Sequence, residues 1–110
     1  MTQETIEKII SKIQSAETIR PESKAELLAL LAELKVEVTK LSRTHGEQAV
    51  SITSFADLSA HEATRQAKNP QLLQLSLEGL SSSTKEFEIS HPRLVEIANA
   101  LSLMLSNSGV

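Results

Sequence analysis

The residues most suggestive of chemistry are His61 and Glu62, which are adjacent in a segment rich in helix-forming residues. A zinc protease carries the sequence His-Glu-x-x-His on a helix, because two imidazoles one turn apart can bind the same metal ion. Here the fifth position is Arg65, whose guanidinium group has no lone pair to offer a metal. The second ligand is therefore missing, and we expect neither a metal site nor a metalloprotease.

Asp57, His61 and Arg65 are spaced four residues apart and therefore lie along one side of a helix. Ile52 precedes His61 by nine residues, so at about 100° per residue His61 points away from the apolar side. Three interpretations remain open for these residues together with Glu62. They form a solvated helix face with weak ion pairs, a hydrogen-bond network that docks this helix on another helix or subunit, or a ligand-binding or catalytic site.

A second candidate pair is Glu88 and His91, whose spacing matches the Glu-x-x-His pair of di-iron helix bundles. A di-iron site requires two such pairs and further glutamates around one bundle core, whereas here a single pair is followed at once by Pro92. We therefore place Glu88 and His91 in a turn, where Ser90 or His91 caps the next helix. We expect His45 at the end of a helix, near its C-terminal carbonyls.

Other classes of function lack their signatures in this sequence. The chain has no cysteine, which removes disulfides, thiolate chemistry and cysteine-based zinc sites. Its three glycines are too far apart for a phosphate-binding loop, and no Gly-x-Ser-x-Gly elbow surrounds a serine. The net charge is −3, the basic residues are dispersed, and two phenylalanines are the only aromatic residues. We expect no cofactor, no nucleic-acid partner and no catalytic residues.

Composition indicates an all-α protein with a single domain over residues 1–110. Apolar residues make up 40% of the chain, mainly leucine, isoleucine and alanine, and good helix formers supply much of the rest. No apolar run approaches the roughly 18–20 residues that a membrane-spanning helix requires. The polar residues Thr2 to Glu4 do not resemble a secretion signal, so we expect a cytoplasmic protein with no membrane partner.

Apolar spacing and capping residues predict five helices. Proline suits the first position of a helix because its missing N–H has no partner there, and all three prolines precede apolar-periodic segments. Gly46 either ends the second helix in the left-handed conformation or lies within one long rod made of helices two and three. We expect Val110 to fold back on the last turn. The predicted helices cover 2–16, 21–45, 47–68, 70–88 and 92–107.

Two of these helices carry the four-three spacing of a coiled-coil seam, and the fifth is apolar almost all round from Ile97 to Leu105. This pattern predicts four to five helices in an antiparallel bundle or a long helical hairpin, with coiled-coil-like packing. The seams exceed what neighbours in a small monomer easily cover, so we expect a homodimer. The seam of helix two is Leu27, Leu31, Leu34, Val38 and Leu41, and that of helix four is Leu73, Leu77, Leu80, Thr84 and Phe87.

Several short motifs resemble a bacterial family known as domain of unknown function 4404. The resemblance covers most of the chain and implies a small, mostly helical bacterial protein, but it implies no activity. The motifs are Ser59-Ala60-His61-Glu62-Ala63-Thr64-Arg65, Asn69-Pro70, Phe87-Glu88, Ser90-His91-Pro92-Arg93-Leu94 and a helix ending near Gly109-Val110.

The sequence thus favours a non-enzymatic helical scaffold or protein-interaction module that self-associates or binds a protein partner. The alternative is a small ligand-binding protein or enzyme that uses His61, Glu62 and Arg65. This alternative requires these side chains, with His91, to converge in a concave site. A third interpretation is an adaptor whose thin, alanine-rich third helix docks on another protein.

Overall fold

A computed structural model describes residues 2–107 and contains no strand in that part of the chain. The prediction of an all-α fold with five helices in a bundle is confirmed, since the helices pack into one body with a radius of gyration of 12.8 Å. The predicted fold-back of Val110 on the last turn lies outside the described residues. The elements are α1 (Thr2–Ser15), α2 (Pro21–Ser42), α3 (Gly46–Thr64), α4 (Pro70–Thr84), a 3-10 turn (Lys85–Phe87) and α5 (Pro92–Ser106).

Proline and asparagine start the helices as the sequence predicts. Pro21, Pro70 and Pro92 are the first residues of α2, α4 and α5. The side chain of Asn69 accepts a hydrogen bond of 3.1 Å from the backbone N–H of Leu72, which satisfies one of the unpaired donors in the first turn of α4. The start of α4 is therefore fixed by local chemistry.

The prediction for Gly46 is wrong in both of its forms. Gly46 is the first residue of α3 and does not have a positive φ, so it does not cap α2 in the left-handed conformation. The chain also does not run as one rod, because His45 lies outside both helices with φ −133° and ψ 62°. Its N–H donates 2.8 Å to the carbonyl of Leu41, and its own carbonyl accepts from Ala49 at 3.0 Å. His45 thus closes α2 and opens α3.

Both α3 and α4 end four residues earlier than predicted. α3 stops at Thr64 because the chain needs residues 65–69 to reverse direction before α4, and Arg65 is already extended at ψ 150°. α4 tightens after Thr84, whose hydroxyl donates 3.1 Å to the carbonyl of Ser81 while the Ser83 hydroxyl donates 2.7 Å to Leu80. Such hydroxyls compete with backbone N–H groups for carbonyls, which weakens the last turn of an α-helix.

The leucine seams of α2 and α4 lie in the core of the single chain. Every seam residue of α2 is at most 2% exposed, and Leu80, Thr84 and Phe87 of the second seam are equally buried. The isoleucines of α1 and the inner face of α5 cover them. The premise that these seams need a second chain is therefore wrong, because five helices bury them within one copy.

α3 is the central helix, since it packs against each of the other four α-helices. α2 and α5 are joined by an ion pair. Arg93 on α5 donates hydrogen bonds of 2.7 Å to Glu33 on α2 and 3.1 Å to Glu96 on α5. The hydrogen bond to Glu33, and then that to Glu96, raises the pKa of the Arg93 guanidinium above its usual value. Within residues 2–107 no helix combines the length and apolar character needed to cross a membrane.

Candidate functional site

Asp57 joins two helices. Its carboxylate accepts a hydrogen bond of 2.8 Å from the ammonium group of Lys12 on α1, and both side chains are about one-quarter to one-third exposed. This ion pair crosses between α1 and α3, as the interpretation of a docking network requires. Asp57 is thereby occupied in holding α1 and does not face His61 as a reaction partner.

Glu62 is the buried member of the polar cluster on α3. Its side chain is 5% exposed, one carboxylate oxygen accepts 2.9 Å from Arg65, and the other lies 3.9 Å from Nε2 of His61. The imidazole of His61 is 55% exposed, which agrees with its predicted position away from the apolar side. Arg65 compensates the buried charge of Glu62, and a buried carboxylate without such a partner is strongly unfavourable. These contacts describe a local ion pair at the end of α3.

A cleft of about 330 Å³ opens beside Glu62, between the end of α3 and the start of α4. Lys68 and Gln74 lie on its wall, and the Lys68 ammonium group donates to the carbonyl of Ala63. Arg65 and Lys68 thus already use the carboxylate and carbonyl acceptors that a cationic ligand would need. The described residues contain no group of three or more His, Asp or Glu placed to hold a metal ion.

Two histidines that are far apart in the sequence, His45 and His91, lie together at the other end of α3. His45 precedes α3, His91 precedes α5, and their ring centroids are 6.3 Å apart. The buried ring of Phe87 meets both edge-on, at 5.3 Å from His45 and 5.5 Å from His91. Each Nδ1 is also paired with the preceding hydroxyl, Thr44 at 2.8 Å and Ser90 at 2.9 Å.

This histidine cluster is built by two similar turns. Both histidines are N-caps with nearly equal backbone angles, and each N–H donates 2.8 Å to a carbonyl four residues earlier. The signal for it in the sequence is the hydroxyl-histidine pair before a helix start, at Thr44-His45 and Ser90-His91. Because both rings pack on Phe87 and on each other, the cluster closes this end of the bundle.

His61 and His91 do not share a site. His91 lies beside His45 at the start of α3, and His61 is 16 residues further along the same helix. At a rise of about 1.5 Å per residue, these positions are about 24 Å apart. Glu88 is exposed on the turn before α5. The predicted polar residues therefore fall into two groups at opposite ends of α3 and do not converge on one pocket.

A further feature is the outer surface where α3 and α4 meet, which the sequence pattern does not predict. The ring of Phe55 on α3 lies against the backbone of Gly79 on α4, where a Cβ atom would overlap it. Phe55 is nine residues before the end of α3 and Gly79 nine residues after the start of α4, so the two helices are antiparallel. Phe55 and Gly79 therefore lie at the same position along the axes of the two helices, and we call this position the contact level.

From the contact level, three leucines lie toward the end of α3 and the start of α4, which are at the same end of the helix pair. Leu58 lies three residues further along α3, and Leu75 and Leu72 lie four and seven residues back along α4, or about 4.5, 6 and 10 Å from the contact. Intervals of three, four and seven residues keep side chains on one helix side. Leu58, Leu72 and Leu75 are 45%, 41% and 61% exposed. With half-buried Phe55, they form what we call the α3–α4 face.

The remaining exposed apolar side chains lie on other surfaces of the bundle. Val36 is on α2, Val50 on α3, Ile89 on the turn before α5, and Leu103 on α5. Single apolar residues at a protein surface are ordinary, whereas a contiguous group is typical of an interaction site. The α3–α4 face is the place in residues 2–107 where neighbouring helices together expose several large apolar side chains.

Comparison of the chain with protein-family models, with curated proteins and with solved structures found no match. The resemblance to domain of unknown function 4404 therefore stays a prediction.

Proposed function

We propose that this chain is a non-enzymatic helical interaction module that self-associates through the α3–α4 face. The observation that carries the proposal is the exposure of three leucines, Leu58, Leu72 and Leu75, on adjacent turns of two packed helices. Removing apolar surface from water contributes about 25 cal/mol per Å². A second apolar surface docked here would bury side chains that the bundle itself leaves in water.

The core of the bundle supports the same proposal, because it forms without the exposed leucines of the α3–α4 face. The leucine and isoleucine stripes of α1, α2 and α5 are almost fully buried within the chain. The bundle is therefore complete without a partner, and docking on the α3–α4 face adds an interaction to a folded protein. A module of this kind acts by bringing copies together, and it needs no reactive pocket. We also propose that the protein is bacterial, as the family resemblance implies, and that it works in the cytosol.

The alternative function, a ligand-binding or catalytic site made by His61, Glu62 and Arg65, receives less support from the contacts. Glu62 lines a cleft, but Arg65 already binds its carboxylate at 2.9 Å. His61 points largely into solvent, and the second histidine needed for a shared site is at the far end of α3. Stoichiometric metal in protein purified without an affinity tag would reverse this ranking.

Sedimentation velocity over a dilution series tests the proposal directly. We expect the apparent mass to rise from that of the 12.0 kDa chain toward twice that value as the concentration passes through the micromolar range. The proposal predicts this rise at physiological salt as well as at low salt, because the apolar contact is its main source. A constant mass of one chain up to the highest concentration would refute self-association.

A further inference from the structure

The histidine cluster of His45, Phe87 and His91 is a contact between aromatic rings. The two imidazoles are half-buried, their centroids are 6.3 Å apart, and the buried ring of Phe87 lies 5.3 Å from one and 5.5 Å from the other. All three pairs are edge-on, an arrangement that is favourable between uncharged rings because the edge of one ring meets the face of another. The packing therefore suits uncharged imidazoles.

In the described part of the chain, neither imidazole of this cluster has a carboxylate within ion-pair distance. The imidazole that has one is His61, whose Nε2 lies 3.9 Å from Glu62. His45 and His91 instead pair their Nδ1 atoms with the hydroxyls of Thr44 and Ser90. A hydroxyl can donate or accept, so these contacts allow a proton to be added to either ring, but they do not neutralise its charge.

Most charged residues around the cluster are exposed, and some are paired elsewhere. Lys40 pairs with Glu37, and Arg93 pairs with Glu33 and Glu96. Exposed charges are screened by water and salt, so they act weakly on the rings. The other charged residues of the elements that meet at this end are Glu4 of α1, Arg43 after α2, Glu47 of α3, Lys85 and Glu86 of the 3-10 turn, and Glu88.

We propose that the histidine cluster is an acid-sensitive junction, which loosens this end of the bundle when both imidazoles are charged. Histidine side chains change charge between about pH 5 and 8. Two unit charges separated by 6.3 Å raise the unfolding constant by a factor of about 3 at the dielectric constant of water, and by about 80 at the effective value near a protein surface. The repulsion is present only in the folded chain, which holds the rings together, so stability falls as the pH falls. The junction does not depend on self-association, since both histidines belong to one chain.

The helix that follows His91 adds to this effect. His91 is the N-cap of α5, where the N–H groups of the first turn carry partial positive charge, and a cation is unfavourable there. At His45 the carboxyl end of α2 meets the amino end of α3, so the two helix ends offset each other. Charging the cluster therefore acts against the start of α5 in particular.

A double-mutant cycle measured at two pH values isolates the repulsion between the rings. Urea unfolding of the wild type, His45→Gln, His91→Gln and the double variant is compared at pH 8 and pH 5, at a concentration where the chain is monomeric. Contributions that either histidine makes alone, including those from nearby carboxylates and helix ends, cancel in the cycle. From pH 8 to pH 5, we expect the coupling between the histidines to shift toward repulsion by about tenfold in the unfolding constant.

His61 provides the matched control, because it is 55% exposed and lies at the far end of α3. The cycle of His61→Gln with His91→Gln should give the same coupling at both pH values. A coupling between His45 and His91 that agrees within about twofold at pH 8 and pH 5 would overturn the proposal.

Amide hydrogen exchange of the wild type locates the loosening without any substitution. The N–H of His45 donates to Leu41 and that of His91 to Phe87, each at 2.8 Å, whereas the N–H of Arg65 donates 3.0 Å to His61 at the far end of α3. After correction for the pH dependence of intrinsic exchange, protection at pH 5 should fall about fivefold more for the two histidine amides than for Arg65. An equal fall at both ends, or no fall, would contradict an acid-sensitive junction.

Discussion

The α1–α2 side of the bundle and the α3–α4 side bury apolar residues of the same kind to very different extents. On α1, Ile6, Ile9 and Ile13 are at most 1% exposed, and they lie against α2 and α3. On the α3–α4 side, Leu58 and Leu75 keep 45% and 61% of their surface in water. Branched aliphatic side chains thus serve as core on one side and as exposed surface on the other.

The difference follows from the residues at the two helix contacts. Large isoleucines fill the space between α1 and its neighbours. The buried residues of α3 and α4 include Ser59, Ser76 and several alanines of α3, and the Phe55 ring lies against Gly79. Small residues let two helices approach closely, and this places the larger side chains of each helix outside the contact. The leucines of the α3–α4 face therefore remain exposed and can pack against another surface.

The largest expected effect separates core from surface. Ile9→Ala creates a cavity among buried residues and should lower the free energy of unfolding by about 2–5 kcal/mol. Leu75→Ala removes an exposed side chain and should change the free energy of unfolding by less than about 0.5 kcal/mol. Urea unfolding at a concentration where the protein is monomeric measures both. Equal losses would show that the two sides of the bundle do not differ as described.

A double-mutant cycle measures the energetic coupling between Phe55 and Gly79. Gly79→Ala gains about 1 kcal/mol of helix propensity but overlaps the Phe55 ring, and such overpacking costs about 1–3 kcal/mol. We expect a net loss of stability of about 1 kcal/mol in the wild type. In Phe55→Ala the overlap is absent, so the same substitution should stabilise the protein. A loss of equal size in both backgrounds would contradict the contact.

Ser59 offers a smaller test of the burial of α3. Its side chain is fully buried, and its hydroxyl has no hydrogen-bond partner among the described residues. Ser59→Ala should raise the free energy of unfolding by about 1 kcal/mol, since it removes an unpaired polar atom. Ser76→Ala is the matched control, because the Ser76 hydroxyl donates 2.8 Å to Leu73 and its loss should be near neutral. A decrease in stability for Ser59→Ala would mean that this hydroxyl is paired in solution.

The smallest expected effect concerns the ion pair that holds α1 on α3. Asp57→Asn removes the charge that faces Lys12 at 2.8 Å, and partly exposed pairs contribute at most about 1 kcal/mol. The loss should shrink when unfolding is repeated at about 1 M salt, where screening acts over about 3 Å. A loss independent of salt would point to the packing of the side chain and away from its charge.

The sequence predicts the helices, their proline-led starts and the residues of the core, because periodic leucines and isoleucines with local caps determine these features. It fails at the Gly46 junction, where the backbone of His45 sets the break. It also fails to bring His45 and His91 together, since their contact depends on how distant turns meet. The α3–α4 face is hidden for the same reason. Leu58, Leu72 and Leu75 belong to different helices, and their alignment is set by Phe55 resting on Gly79.

The most direct test of self-association through the α3–α4 face compares two matched leucines by sedimentation equilibrium. Leu75 and Leu103 are 61% and 66% exposed, and they lie on α4 and on α5, where Leu103 lines the groove between α4 and α5. Leu75→Gln should weaken the dimer at least about tenfold, because a two-fold interface loses the side chain twice. Leu103→Gln should leave the dimer affinity unchanged. A weaker dimer in Leu103→Gln with wild-type affinity in Leu75→Gln would contradict the assignment of the face.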